Sequence, residues 1–216
     1  MKRKKVFVEK LIEEGEGLRL DFKFEVSDAA KIARSLTAFA NTQGGRLLIG
    51  VKDNGKIKGV QSEEEYYMIE NAAQRFCKPP VPFSSKEWNV EGKKVLEIII
   101  PKSSLIPHKA PDKNGRYKAF VRIADENILA CSVQMKVWKK QISDTVINFK
   151  NSDIEKHLLT VLQSNKNSTV PFLCSQLKIS KYRVENMLSD FILLELVNME
   201  LTPEGCFFNI NEIPAL

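Results

Sequence analysis

The sequence has no Cys-x-x-Cys pair and only two histidines, His108 and His157. A zinc site made of Cys and His side chains has too few ligands to draw on. The four cysteines, Cys77, Cys131, Cys174 and Cys206, lie far apart, each in an apolar or helical context. They read as buried free thiols in a reducing compartment, not as a disulfide framework. Long apolar runs are missing as well. Val95 to Ile100 and Phe191 to Val197 are among the longest and fall far short of a membrane span. The start, Met1-Lys2-Arg3-Lys4-Lys5, is basic like a signal peptide, but Glu9 arrives before an apolar core develops. The expectation is a cytoplasmic protein with no membrane partner. No Gly-x-x-x-x-Gly-Lys-Ser/Thr occurs, which excludes a P-loop ATPase. Gly15-Glu16-Gly17 does not replace it, because acids flank it and a strand follows, whereas a phosphate cradle opens a helix.

What the chain does have is an ordinary globular composition with unevenly spread charge. Of 216 residues, 43% are hydrophobic and 28% charged, with net charge +6. Residues 1–150 carry 28 Lys/Arg and 19 Asp/Glu, net +9; residues 151–216 carry 5 and 8, net −3. The basic part is the one expected to meet phosphate or another acidic partner.

Residues 5–13 have the pattern of a short amphipathic helix closed by Gly15. From Leu18 to Glu25 apolar and charged residues alternate strictly, a half-buried strand with Arg19, Asp21, Lys23 and Glu25 on its outer face. Ser27-Asp28 caps a helix with apolar positions Ala29, Ile32, Ala33, Leu36, Phe39 and Ala40, which ends near Gly44-Gly45. Arg46–Lys52 is a strand, and Asp53-Asn54-Gly55-Lys56 a two-residue hairpin turn leading into Ile57–Val60. Ser62-Glu63-Glu64-Glu65 is a capping box that opens a helix to about Cys77, stopped by Pro79-Pro80. Strands follow around 83–90, 94–100 and 117–124, and a helix over 132–142 closes the domain. Residues 143–152 read as a linker. Beyond it come three helices (152–162, 169–177, 180–197) and a hairpin around Thr202-Pro203-Glu204-Gly205, the order of a winged helix-turn-helix. The fold class expected is α+β, with domains over 1–145 and 146–216.

Three ordered motifs carry a resemblance. Glu16-Gly17-Leu18-Arg19-Leu20-Asp21-Phe22-Lys23, Ala38-Phe39-Ala40-Asn41-Thr42-Gln43-Gly44-Gly45 and Leu48-Ile49-Gly50-Val51-Lys52-Asp53-Asn54-Gly55 resemble the Schlafen AlbA-like family. His108 and Tyr117-Lys118-Ala119-Phe120-Val121-Arg122-Ile123 are similar to its later proline-rich loop and arginine-bearing strand. The likeness covers roughly residues 5–140. It implies nucleic-acid binding, with a winged helix often following in bacterial regulators. In some eukaryotic members it implies metal-dependent RNA cleavage by three acids, which fall here on Glu16, Asp21 and Asp53. Three carboxylates suit Mg²⁺ or Mn²⁺, and Lys23 lies on the same strand face as Asp21. The chain departs from the pattern in having Asp21 where Glu is usual and Gly17 where Ser is common.

The leading expectation is therefore a DNA-binding transcriptional regulator, with DNA favoured over RNA, no cofactor needed for binding, and a homodimeric state. Arg19, Lys23, Arg46, Lys52, Lys118 and Arg122 are the candidate phosphate contacts, with Lys56, Lys58, Lys109, Lys113 and Arg116 beside them. Lys181, Tyr182, Arg183 and Asn186 open the candidate recognition helix. Two other classes remain open. One is a Mg²⁺- or Mn²⁺-dependent nuclease using Glu16, Asp21 and Asp53, against which stands a turn-and-surface role for the same acids. The other is a protein-docking or nucleotide-binding module without a P-loop.

Overall fold

The computed structural model describes residues 7–60, 63–143, 146, 147 and 149–211. The chain divides into two compact units, Met1–Leu129 and Ala130–Leu216. Among the described residues no helix is long and apolar enough to cross a membrane.

In the first unit, α1 (Phe7–Glu14) is followed by β1 (Leu20–Lys23), α2 (Ala29–Asn41) and β2 (Gly45–Ile49). β1 and β2 pair in parallel, Leu20 opposite Arg46, so α2 is the crossover between them. Next come α3 (Glu64–Asn71), prolonged by a π-helical turn (Ala72–Phe76), then β3 (Ser84–Val90) and β4 (Lys93–Ile100). The first sheet has the order β1-β2-β4-β3. A second, antiparallel sheet follows, β5 (Lys109–Pro111), β6 (Tyr117–Ile123) and β7 (Glu126–Leu129). The mixture is α+β. Part of the capping box expected before α3 lies outside the described residues.

The crossover helix α2 organises this unit. The Asp28 side chain accepts from Lys31 N at 3.1 Å, satisfying an otherwise orphan amide of the first turn. Small residues (Ala29, Ala33, Ala38, Ala40) let strands approach the helix on several sides. Together with Ile32, Leu36 and Phe39 they bury it almost all round. One core joins α2 to Leu47 and Ile49 of β2, Ile98 and Ile100 of β4, and Ala110 and Phe120 of the second sheet. The opposite face of the first sheet (Leu20, Phe22, Leu48, Val95) packs with Val8 and Leu11 of α1. The strands are thus covered on both faces, and for that reason β1 is buried where strict alternation predicts one wet face.

The end of α2 is fixed by polar groups. Asn41 is buried and its amide donates to the carbonyls of His108 and Phe120, both at 2.8 Å, while its Oδ1 accepts from His108 N at 2.8 Å. Thr42 Oγ1 accepts from Arg122 N at 2.9 Å. Gly44 follows at φ +69°, where a Cβ would stand 2.7 Å from the Ile100 carbonyl oxygen, so only glycine fits the turn into β2.

The second unit contains α4 (Ser132–Ile142), α5 (Asp153–Ser164), α6 (Val170–Leu177), α7 (Lys181–Leu193) and the hairpin β8 (Val197–Thr202)–β9 (Gly205–Ile210). α7 stops at Leu193, short of the expected Val197, because Val197 opens β8. Helix α4 belongs here and does not close the first domain. Val133 and Val137 enter the core of Leu158, Leu173, Leu188, Phe191 and Phe208, and Lys140 Nζ donates to Ser189 Oγ and Asp190 Oδ1, each at 2.7 Å. The division falls at 129/130 rather than 145/146, so the second unit carries nine Lys/Arg and nine Asp/Glu and is neutral, not acidic.

Asn41→Ala leaves three buried backbone groups without partners and is expected to lower stability by about 2–4 kcal/mol. The readout is a lowered urea midpoint at unchanged slope. A midpoint within error of the parent would remove Asn41 from the framework.

Candidate functional site

The first unit brings two of the three predicted acids together. Asp21 on β1 is 3% exposed. Its Oδ1 lies 3.3 Å from Arg122 Nη2 and its Oδ2 2.8 Å from Lys23 Nζ, the latter an ion-pair contact outside hydrogen-bond alignment. Glu16 enters from the loop before β1, where its Oε1 accepts from Phe22 N at 2.7 Å. Burial pushes the Glu16 carboxyl up to about 7, helped by its hydrogen bond to Asp21 and that group's charge. Glu16 thus holds its proton up to about neutral pH.

Asp53 does not join them. It is exposed in a turn where Gly55 N donates to Lys52 O at 2.7 Å and Lys52 N to Lys56 O at 3.1 Å. With Gly55 at φ +76°, this is a three-residue loop ending in a left-handed glycine, not the expected two-residue turn. Beyond it only an isolated bridge, Val51 to Ile57, forms in place of the predicted strand. Among the described residues no group of three or more His, Cys, Asp or Glu side chains is placed to hold a metal. Asp53 stands apart and Asp21 is already paired with Arg122 and Lys23, so the fold does not bring Glu16, Asp21 and Asp53 together as one site for a Mg²⁺ or Mn²⁺ ion.

Arg122 is a second correction. The expected phosphate contact is 1% exposed. Its Nε donates to Gly17 O at 3.1 Å, Nη1 to Asn127 Oδ1 at 3.0 Å, and Nη2 to Leu20 O and Asp21 Oδ1, both at 3.3 Å. The guanidinium carbon stands 5.0 Å from the Phe39 ring centroid. β6 is covered on both faces from Ala119 to Arg122, so the strand carries this charge inside with it. Lys23 is likewise half-buried and turned inward, its Nζ donating to Phe22 O at 2.7 Å.

The remaining cations lie at the surface in separate groups. Arg19, just before β1, and Arg46 on β2 join Lys102 around a cleft of about 620 Å³ that Glu14 and Gln43 also line. Arg46 Nε donates to buried Glu97 at 2.7 Å, and Arg19 donates to Gln43 O at 3.1 Å. Lys52 Nζ is 5.3 Å from the Phe24 ring centroid, with Lys56 and Lys58 exposed nearby in sequence.

The β5–β6 hairpin is the most one-sided group. Residues 109–118 contain Lys109, Lys113, Arg116 and Lys118 against a single acid, Asp112. The Asp112 carboxylate is used by the turn, accepting from Asn114 N and Arg116 N, and those bonds hold it below the usual carboxylate range. Lys78, exposed, adds its Nζ 4.0 Å from the Tyr117 ring centroid. Phe120, by contrast, is core. His108 is buried too, with Nδ1 2.9 Å from Pro79 O and Nε2 2.7 Å from Ser103 Oγ.

In the second unit Lys181, Tyr182 and Arg183 are exposed on the first turn of α7. Lys136 of α4 lies beside them, 4.0 Å from the Tyr182 ring centroid and donating to Asn186 Oδ1 at 2.9 Å. The Tyr182 hydroxyl is held below its ordinary value, first by its bond to Asn186 and then by the lysine charges. Lys78, Lys102 and Lys136 escape sequence reasoning because each is brought to its group by tertiary packing. For Lys78 and Lys102 the one local sign is an adjacent proline.

The family model "Schlafen, AlbA_2" matches residues 16–131. The chain belongs to the Schlafen AlbA_2 family. The AlbA_2 match takes in the Glu16 loop, both sheets and Arg122. No curated protein matches the chain. Two solved structures are similar at low identity. The DIP2311 protein from Corynebacterium diphtheriae is 17% identical with TM-score 0.46, over 73% of this chain and 38% of that one. This chain therefore spans well under half of that protein. The N-terminal domain of a protein named as related to the ATP-dependent DNA helicase RecG, from Nitrosomonas europaea, is 20% identical with TM-score 0.38, over 59% of this chain and 94% of that one.

The raised Glu16 carboxyl makes AlbA_2 stability depend on pH. The folded state holds a proton that the unfolded chain releases near 4.5, so the associated penalty is absent at pH 4 and grows as pH rises to about 7. Glu16→Gln keeps the bonds to Phe22 and Asp21 without ionising. The expected result is a gain in melting temperature over the parent at pH 8 that shrinks as pH falls towards 4. An equal difference at both pH values would show that the carboxyl does not titrate there.

Proposed function

We propose that the chain binds nucleic acid, duplex DNA in preference to RNA, through the exposed cations of its AlbA_2 unit, and acts as a cytoplasmic transcriptional regulator. The observation that carries this reading is the basic β5–β6 hairpin, where Lys109, Lys113, Arg116 and Lys118 face one acid that is tied to its own backbone. A projecting hairpin with one sign of charge suits a regular array of phosphates. Arg19 and Lys102 at the cleft extend the positive surface, and the half-exposed Tyr117 ring offers a stacking face. Lys23, Arg46 and Lys52 contribute through the residual field rather than as free contacts, since each already has a partner.

In the same reading the second unit is a winged helix. Helix α6 leads through Lys178, in the left-handed conformation, to Ser180 and the start of α7, and the β8–β9 hairpin is the wing. Lys181, Tyr182 and Arg183 at the exposed start of α7 are the side chains that would meet base edges or phosphates. A homodimer would double a site with few base contacts and raise its affinity by effective concentration.

The test is fluorescence anisotropy of labelled duplex DNA and single-stranded RNA at several salt concentrations, with EDTA present. Log affinity should fall linearly with log salt. The combined Lys113→Ala, Arg116→Ala, Lys118→Ala variant should lose a slope of about one per phosphate contact removed. A variant with the parent's affinity and slope on both probes would rule out the hairpin as the contact surface. Duplexes selected from a random pool should show a consensus that Arg183→Ala blurs. An unchanged consensus would take α7 out of base reading.

A further inference from the structure

Two cysteines that are far apart in sequence meet in the second unit. Cys131 Sγ and Cys206 Sγ are 2.8 Å apart, unbonded, with Met199 Sδ 3.7 Å from Cys131 Sγ. Cys131 is the N-cap of α4, and its sulfur accepts from Gln134 N at 3.5 Å. Cys206 lies on β9 next to the hairpin glycine, Gly205. Both are half-buried and line an open cleft of about 330 Å³ with Pro171, Thr169 and Lys181. The cysteines expected to be buried free thiols are free, but this pair is in contact and only half-buried.

We propose that Cys131 and Cys206 form a peroxide-reactive dithiol that closes to a reversible disulfide within one chain. Three conditions for such chemistry meet here. The two sulfurs are in contact, so no rearrangement of the backbone has to bring them together. The cleft admits a small oxidant. The helix N-terminus and the neighbouring thiol both stabilise a thiolate on Cys131. That sulfur is accordingly held down at about 7, first by the hydrogen bond from Cys206 and then by the amides of Gln134 and Val133, against burial and the charge of Glu185. Cys206 is pushed up by the same contact and by burial, which makes it the proton-bearing partner.

The steps balance. Cys131 thiolate attacks one oxygen of hydrogen peroxide, the O–O bond breaks, and hydroxide leaves to take up a proton as water. The product is a sulfenic acid on Cys131. The Cys206 sulfur then attacks the Cys131 sulfur, the S–O bond breaks, and the departing hydroxide takes the Cys206 proton as a second water. Each sulfur is oxidised by one electron and the peroxide is reduced by two. A dithiol reductant reverses the bond by exchange. Closure ties the start of α4 covalently to the β8–β9 hairpin. Cys77 is the internal control, buried against Ala33 O and pushed up to about 12.

The test uses the full chain, folded, treated with stoichiometric hydrogen peroxide, then alkylated and mapped by mass spectrometry. Expected are a loss of two hydrogens in mass per chain, one crosslinked peptide pair containing Cys131 and Cys206, and recovery with dithiothreitol. Cys206→Ser should trap a dimedone-reactive sulfenic acid on Cys131, and Cys131→Ser should slow peroxide consumption by about tenfold. Oxidation first at Cys174 or Cys77, crosslinks between chains, or Cys131 and Cys206 both remaining alkylatable would each overturn the proposal. The mapping of the parent chain decides the matter even where a serine variant misfolds.

Discussion

The first unit depends on one buried ion pair. Arg122 and Asp21 come from different sheets, and a charge on either alone would be prohibitively expensive so far from water. The guanidinium meets this by giving its N–H groups to four oxygens: the carbonyls of Gly17 and Leu20, the Asn127 side chain and Asp21. Its ring neighbour Phe39 closes the remaining face. The loop before β1, the end of α2 and the strands β6 and β7 are thereby fixed to one another by directional bonds, where apolar packing alone would let them slide. Lys23 adds a second cation at the other oxygen of the Asp21 carboxylate.

This arrangement divides labour within the AlbA_2 motifs. The most distinctive residues are internal scaffolding: Asn41 cross-ties two carbonyls and an amide, Gly44 makes room for a backbone turn, and Arg122 seats Asp21. The exposed cations, on the β5–β6 hairpin and around the Arg19 cleft, lie within or beside the same motifs. In this chain the motifs serve the fold first.

Much of the architecture was legible in the sequence. Helical spacing from Ala29 to Ala40 and the Ser27-Asp28 start located α2, and the cap proved to be Asp28. The three helices and hairpin of residues 152–210 followed from caps, periodicity and Gly205. What failed did so for nameable reasons. Alternation in Leu18–Glu25 assigns a wet face, but a strand between α1 and α2 has none, and so Asp21 was misread. Arg122 looked like a surface cation because composition cannot reveal an anion a hundred residues upstream. Short strands such as β5 and β7 carry too few residues for a period. Helix α4 was assigned to the wrong unit, since its apolar positions, Val133 and Val137, do not say which core they enter. Glu16 and Asp21 were found by motif, yet their pairing depends on the loop before β1 and Asp53's separation on the turn at Gly55.

The near-complete burial of α2 has a consequence for assembly. The core around α2 takes in residues of both sheets, whereas the core under α1 serves the first sheet alone, and the helix, rich in alanine, has few large side chains with which to hold itself to one sheet. Partial structures that keep one layer and release the other would expose much of the helix at once. The layers that meet at α2 therefore open together, and slow amide exchange should spread evenly over β2, α2 and β6.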